Sequence, residues 1–411
     1  MMKYGLIAER VGHSYSKVIH AMLADYEYEL CAISPEELDG FMTAREFNAV
    51  NVTMPYKQAV IPYLDEISDT AREIGAVNTI VNRNGRLYGD NTDAYGLRRL
   101  IERTGIGISG SRVMVLGTGG TSKTARYVAA QMGARDVLCV SRNPREGMLS
   151  YEAALRENVD VVINTTPCGM YPDIGASPIS LEPFENLSGV VDVIYNPLRS
   201  RLVLEAMARG IPARGGLFML VAQAVRAAEV FQDTRYPDTL ADEIFEKLLH
   251  RKENLVLIGM PGGGKTTLAA LLGERLSRRV VDVDVQIQER AGMSIPEIFE
   301  RFGEAGFRES ESETVAEIGK NSGLVIATGG GTVLRAENVR SLRQNGQLIL
   351  LERPLKDLKP SPDRPLGDTL EKIERLYNER MPLYRKAADV TVPVCGTPEE
   401  TVQRILNEVM L

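Results

Sequence analysis

Short runs rich in Val, Ile and Leu alternate with amphipathic stretches from one end of the chain to the other. That alternation predicts an α/β fold throughout, built on mainly parallel sheets. The segments Tyr4–Ala8, Phe47–Val52, Arg112–Leu116 and Leu255–Ile258 read as strands, and Leu217–Phe231 reads as a helix. Three blocks follow: residues 1 to about 100, residues from about 110 to 214 opening with a strand that runs into glycines, and a third beyond the polar segment Leu249–Asn254. That segment reads as a short join, with the principal boundary near residue 252. No internal repeat of solenoid period and no low-complexity tract interrupts the pattern.

A length of 411 residues agrees with two or three domains. With 44% hydrophobic and 25% charged residues, the chain has the apolar mass for real cores, which excludes a disordered protein. A net charge of −7 disfavours a broad nucleic-acid or anionic-membrane surface and leaves room for local phosphate pockets. Cys31, Cys139, Cys168 and Cys395 are far apart and lack histidines at ligand spacing, so reduced thiols and a cytoplasmic location are expected. No stretch has signal-peptide or membrane-spanning character. His13, His20 and His250 are the only histidines, so proton transfer is expected to fall to Lys, Asp and Arg.

Two glycine loops carry the chemistry. The first, Gly117-Thr-Gly119-Gly120-Thr121-Ser122, lies between a strand and a helix-like stretch. Glycines there admit a pyrophosphate to the backbone, and free N–H groups at the helix start bind its charge. Ser122 replaces the third glycine of the usual dinucleotide fingerprint. At the end of the next strand, an acid would hold a ribose 2′-hydroxyl. The chain has Ser141, Arg142 and Arg145 instead, which favours NADP over NAD. The second loop, Gly259-Met-Pro-Gly262-Gly263-Gly264-Lys265-Thr266, matches the P-loop pattern in full. Its amides cradle phosphates, Lys265 reaches the terminal phosphate oxygens, and Thr266, followed by Thr267, ligates Mg²⁺.

With its flanks, the front of the chain resembles shikimate dehydrogenase. The strings that carry the resemblance are GLIAERVGHSYSKVIH with Ser14 and Ser16, VNVTMPYK with Asn51, Thr53 and Lys57, GAVNT with Asn78, and GDNTDAYG with Asp93. DVIYNP with Tyr195 and FMLVAQA with Gln223 follow. The resemblance implies a substrate lobe formed by residues 1–100 plus 217–250 and a Rossmann NADP lobe over 101–216. It also implies NADPH-dependent reduction of 3-dehydroshikimate, with Lys57 and Asp93 as the pair that delivers a proton to the new alkoxide, and the other named residues reading the carboxylate and ring hydroxyls. The chain departs from that family at Ala8-Glu9-Arg10, Lys17 and Ala21.

From residue 253 to 411 the chain resembles shikimate kinase. The strings are the P-loop, VVDVDVQIQERAGMSIPEIFERFGEAGFRESE, IATGGGTVL, PDRPL and ERMPLYR. The resemblance implies phosphorylation of shikimate by ATP with Mg²⁺ held by Thr266 and Asp282. Asp284, Arg308, Gly330 and Arg380 would take the substrate, beside Gly329 and Gly331, and Arg364 would act from a lid. The lid approach is shorter than usual, and Lys359 is the candidate for the adenine contact.

A bifunctional enzyme of aromatic amino-acid biosynthesis is therefore expected, with two independent modules and small-molecule substrates rather than nucleic acid or membrane partners. The oligomeric state stays open. Two other readings are a nucleotide-gated metabolite sensor and a P-loop kinase for a different polyol. The intact proton-transfer pair argues against the first, and two arginines suited to a carboxylate argue against the second.

Overall fold

The computed structural model describes residues 3–11, 15–358 and 369–409. Its internal contacts divide the chain into two compact units, Met1–Lys247 and Leu248–Leu411.

The front unit contains two sheets. The first has the order Tyr28–Ala32, Tyr4–Ala8, Ala49–Val52, Thr79–Arg83, Arg86–Asp90, Glu66–Ile67. Tyr4–Ala8 is parallel to both of its neighbours, whereas Thr79–Arg83 is antiparallel to both of its own. The reversal into Arg86–Asp90 is local chemistry. Asn84 and Gly85 both adopt positive φ, as a two-residue hairpin turn between twisted strands requires. The registers on the two sides of Thr79–Arg83 set Asn51 opposite Thr79 and Thr79 opposite Asp90, which gathers several polar residues at one end of the sheet. Ile7, Val50, Ile80 and Leu87 are fully buried in the core beside it.

The second sheet is wholly parallel, in the order Ala213–Arg214, Gly189–Asp192, Val161–Asn164, Arg112–Leu116, Asp136–Val140. Its inner strands are continuous apolar runs, as expected where both faces are covered. The chain leaves Arg112–Leu116 towards one side of the sheet and later returns on the other. The first glycine loop therefore lies at a topological switch point, where α/β sheets bind ligands.

The back unit repeats this logic with the order Val280–Asp282, Val325–Ala327, Asn254–Ile258, Gly346–Glu352, Val390–Pro393, all parallel. Its P-loop strand is central. The polar join expected at Leu249–Asn254 is corrected here: the helix Leu240–Lys252 runs through most of it, and the strand begins at Asn254. The buried side chains of Ala241, Ile244 and Leu248 keep helical spacing up to the polar residues. Asn254 is fully buried because its amide donates to the Asn321 carbonyl and accepts from the Leu324 N–H, each at 2.8 Å. Among the described residues, no helix is long and apolar enough to cross a membrane. The four cysteines are unbridged.

In the front unit the helices Thr92–Thr104 and Leu217–Gln232 touch through Gly96. A Cβ added there would fall 2.6 Å from the Met219 carbonyl oxygen and 2.9 Å from Gln223 Cβ. Gly96→Ala is expected to destabilise the front unit by about 1–3 kcal/mol, the usual range for overpacking. Amide exchange in the Thr92 helix should accelerate while exchange in Asn254–Ile258 keeps its wild-type rate. Unchanged exchange in the Thr92 helix would contradict the close packing.

Candidate active sites

At the polar end of the first sheet, Lys57 follows the strand Ala49–Val52, and Asp93 stands in the first turn of the Thr92 helix. Lys57 Nζ donates to Asp93 Oδ2 at 2.5 Å, with side-chain exposures of 14% and 10%. The helix start is fixed by Asn91, whose side chain accepts from the Ala94 N–H. A carboxylate in a first helical turn is also favoured by the helix dipole. The Lys57 backbone carbonyl is held by the Val77 N–H at 2.7 Å.

Asn78 sits between these elements. Its Oδ1 accepts the Thr92 backbone N–H at 2.7 Å, which fixes the amide orientation, because a backbone N–H has no acceptor role. Asn51 is buried, donates to Thr79 Oγ1 at 3.2 Å and accepts from Tyr28 Oη at 2.7 Å. Gln223 is also buried and stands 3.4 Å from Thr92 Oγ1. Ser16 is buried at the start of the helix Ser16–Leu23. The Tyr15 and Tyr195 rings lie 5.6 Å apart, so the loop before that helix meets the loop after Gly189–Asp192. Burial, with Tyr15 alongside, pushes the Tyr195 phenol up and keeps it a neutral donor. Thr53 is half-buried in the loop after its strand, its N–H on the Ile7 carbonyl. Ser14 lies outside the described residues.

The first glycine loop closes on itself. Ser122 Oγ donates to the Gly117 carbonyl at 2.6 Å, so the serine that replaces a glycine serves the turn with its hydroxyl. The helix Gly120–Gln131 starts there with Gly119 at its cap and Thr121 in its first turn. A Cβ on Gly120 would lie 3.7 Å from Lys57 Cδ, so the start of this helix abuts the stem of the lysine. At the end of the next strand, Ser141 is buried and accepts the Asn143 N–H, while Arg142 and Arg145 are exposed. The site offers amides and cations with no carboxylate in that stretch, which fits a 2′-phosphorylated dinucleotide.

In the back unit, Gly262, Gly263 and Gly264 lead into the helix Lys265–Leu276. Lys265 is buried and its Nζ donates to the Gly259 and Met260 carbonyls at 2.9 and 3.0 Å. Thr266 Oγ1 donates to Asp282 Oδ2 at 2.7 Å, and Thr267 is exposed beside it. A hydroxyl and a carboxylate fit Mg²⁺, which keeps several waters and takes few protein ligands. No cluster of three or more His, Cys, Asp or Glu suited to a metal occurs among the described residues.

The turn Gly329-Gly330-Gly331 is walled on three sides. A Cβ at Gly329 would fall 2.7 Å from Asp284 Oδ1, one at Gly330 would fall 2.6 Å from Pro261, and one at Gly331 would overlap the Arg308 guanidinium. Only glycine lets the carboxylate, the P-loop and the guanidinium converge. Arg308 pairs with Glu311 at 2.7 Å, and Arg380 donates to the Gly330 carbonyl at 3.0 Å. Arg364 and Lys359 lie outside the described residues.

Several residues here escaped sequence reading. Tyr28, Thr79 and Thr92 support the front amides, and Glu311, Thr332 and Tyr384 support the back turn. Tyr384 follows Arg380 by one helical turn and also donates to the Gly330 carbonyl; burial pushes its phenol up to about 12. Helical spacing from an arginine was the available signal, at i+4 for Tyr384 and i+3 for Glu311.

Comparison with known proteins follows the same division. Residues 6–80 match the shikimate dehydrogenase substrate-binding domain, and residues 261–410 match shikimate kinase. A shikimate dehydrogenase (NADP(+)) of Clostridium perfringens is 34% identical over 267 residues, covering 60% of this chain and 98% of that protein. A chorismate mutase/shikimate 5-dehydrogenase fusion from Clostridium acetobutylicum superposes with a TM-score of 0.57 at 35% identity, covering 60% of this chain and 97% of its own. The shikimate 5-dehydrogenase of Thermus thermophilus, solved with NADP(H) and shikimate, has a TM-score of 0.55 at 30% identity, covering 60% and 99%.

Burial, then the charges of Asp282 and Glu311, push the Asp284 carboxyl up to about 6 against the pull of Lys265 and Arg308. Between the ordinary value of 3.8 and about 6, the folded chain holds a proton that the unfolded chain has released. This group's contribution therefore makes stability fall as pH rises through that window. Asp284→Asn is expected to stabilise the back unit near pH 8 by on the order of 2–3 kcal/mol and to converge with wild type near pH 4. Thermal melts across pH check this, and a variant less stable than wild type near pH 8 would contradict it.

Proposed function

Since the chain belongs to the shikimate dehydrogenase family through its front unit and carries a shikimate kinase domain behind it, it is a bifunctional enzyme of the shikimate pathway that uses NADP(H) and ATP with Mg²⁺, and we propose how its residues divide the work. The observation that carries the front half is the 2.5 Å pair of Lys57 and Asp93 beside the start of the Gly120 helix. NADPH supplies the hydride to the C3 carbonyl of 3-dehydroshikimate. Lys57 gives the proton that turns the resulting alkoxide into the C3 hydroxyl, and Asp93 holds the ammonium in place. Ser14, Ser16, Asn51, Thr53, Asn78, Tyr195 and Gln223 bind the carboxylate and ring hydroxyls. Residues 1–100 with 217–250 form the substrate lobe, and 101–216 form the NADP lobe. This division agrees with the separate sheets and with the packing of the Leu217 helix on the Thr92 helix.

In the back unit, ATP with Mg²⁺ supplies the phosphoryl group. Gly262, Gly263, Gly264, Lys265, Thr266 and Thr267 hold the phosphates, Thr266 and Asp282 face the metal, and Arg364 contributes a further cation to the nucleotide. Asp284 accepts the proton of the attacking C3 hydroxyl, while Arg308 and Arg380 hold the carboxylate and the Gly330 turn backs the substrate. Positioning and charge are sufficient chemistry for this transfer.

Lys57→Ala and Asp93→Asn should each reduce dehydrogenase turnover by ~10²- to 10⁴-fold and leave shikimate phosphorylation at the wild-type rate. Lys265→Ala should do the reverse. Near-full reduction of 3-dehydroshikimate by either front variant would refute the proton-delivery roles, and a wild-type chain that binds shikimate without turnover would favour a sensor. Cofactor choice is tested separately. Replacing Ser141 by Asp and both Arg142 and Arg145 by Ala should move the kcat/KM preference from NADP towards NAD, through lost pairing and new repulsion at the 2′-phosphate. An unchanged preference would refute that placement.

A further inference from the structure

Beneath the front site, buried polar side chains form one connected hydrogen-bond network. Thr79 is fully buried, and its single hydroxyl stands 3.2 Å from Asn51 Nδ2, 3.0 Å from Asn78 Oδ1 and 3.2 Å from Thr92 Oγ1. The Thr92 N–H fixes Asn78 Oδ1 as an acceptor, to which Thr79 donates, and Thr79 accepts from Asn51 Nδ2, which also faces the Asn78 backbone carbonyl at 3.3 Å. Asn51 Oδ1 then accepts from Tyr28, which agrees with the 2.7 Å contact. On the other side, Asn78 Nδ2 donates to Thr92 Oγ1 at 3.1 Å, and the Thr92 hydroxyl faces Asn78 Oδ1 at 3.3 Å and Gln223 Oε1 at 3.4 Å. Gln223 Nε2 in turn donates to the Leu220 carbonyl at 2.9 Å. The chain Tyr28, Asn51, Thr79, Asn78, Thr92, Gln223 alternates hydroxyls with amides. Asn78 and Gln223 each keep a second amide N–H outside this chain.

We propose that Thr79 is a positioning residue of the dehydrogenase, its hydroxyl holding the Asn51 and Asn78 side chains in place and, through Thr92, the Gln223 side chain. The proposal rests on those three amides reading the substrate. Backbone groups orient the amides, and hydroxyl removal leaves Asn51 and Asn78 each one buried partner short and free to shift from where they meet the substrate. Such a site discriminates through unmet buried polar groups rather than through shape. The ligand class is a polyhydroxylated cyclic acid, and NADPH, assigned above to the lobe of residues 101–216, is outside the effect.

The test is steady-state kinetics of Thr79→Val and Thr79→Ser in the full chain. With about one hydrogen bond's worth of free energy lost at each of two amides, KM for 3-dehydroshikimate should rise about tenfold in T79V, with KM for NADPH unchanged. T79S should return to within about twofold of wild type. NADPH binding, followed by cofactor fluorescence, reports that the front unit is folded. If T79V fails to bind NADPH, Thr92→Val together with T79S carries the test, with the same rise expected for T92V. A T79V enzyme that binds NADPH and keeps a wild-type KM for 3-dehydroshikimate overturns the proposal, as does T79S matching T79V. Failure of the functional reading is distinct, since the wild-type chain would then not reduce 3-dehydroshikimate at all.

Discussion

Lys57 Nζ and Asp93 Oδ2 lie 2.5 Å apart in a place where neither is freely hydrated. Removing a charge from water is tolerable only where an opposite charge and hydrogen bonds receive it. The loop after Ala49–Val52 therefore has to meet the start of the Thr92 helix, and the elements behind them have to allow it. The Asn84-Gly85 hairpin sets Thr79 opposite Asp90, and the pairing of Thr79–Arg83 with Ala49–Val52 sets it opposite Asn51. Gly96 lets the Leu217 helix approach until Gln223 reaches Thr92. The fold of the front sheet is in this sense the scaffold of one ion pair and of the amides around it.

The back unit solves a related problem differently. Glu311 is fully buried and is received by Arg308 and the Thr332 hydroxyl, both at 2.7 Å. That pairing holds a guanidinium against Gly331, while Asp284 and Pro261 close on the two preceding glycines. Asp284, buried and beside the charges of Asp282 and Glu311, is pushed up to about 6. A carboxyl close to neutrality suits a group that accepts a hydroxyl proton and later releases it. The unit sacrifices some stability at that carboxyl, as functional groups held in uncomfortable surroundings often do.

Much of this was legible in the chain. Apolar runs located strands such as Tyr4–Ala8 and Arg112–Leu116, and the P-loop announced its strand and helix through glycines and the Lys-Thr pair. Rare strings held Lys57, Asp93, Asp284, Arg308 and Arg380 in order, and the structure brings the first two into contact. The supporting residues were less visible for a physical reason. Tyr28, Thr79 and Glu311 act through partners remote in sequence, and a threonine in a strand looks like an ordinary β-former until its register is known. The join misled because Lys252, Glu253 and Asn254 look like a solvated linker, whereas Lys252 ends a helix whose apolar face is buried and Asn254 opens the central strand with its amide hydrogen-bonded in the interior.

The central claim is that one chain makes the C3 hydroxyl of shikimate and then phosphorylates it. The direct measurement is a single reaction containing the purified full-length protein, 3-dehydroshikimate, NADPH, ATP and Mg²⁺, following NADPH loss and shikimate 3-phosphate together. The account predicts stoichiometric conversion in which phosphate ester appears after reduction begins and stops when either NADPH or ATP is withheld. NADPH oxidation without any shikimate 3-phosphate, or no oxidation at all, would contradict it.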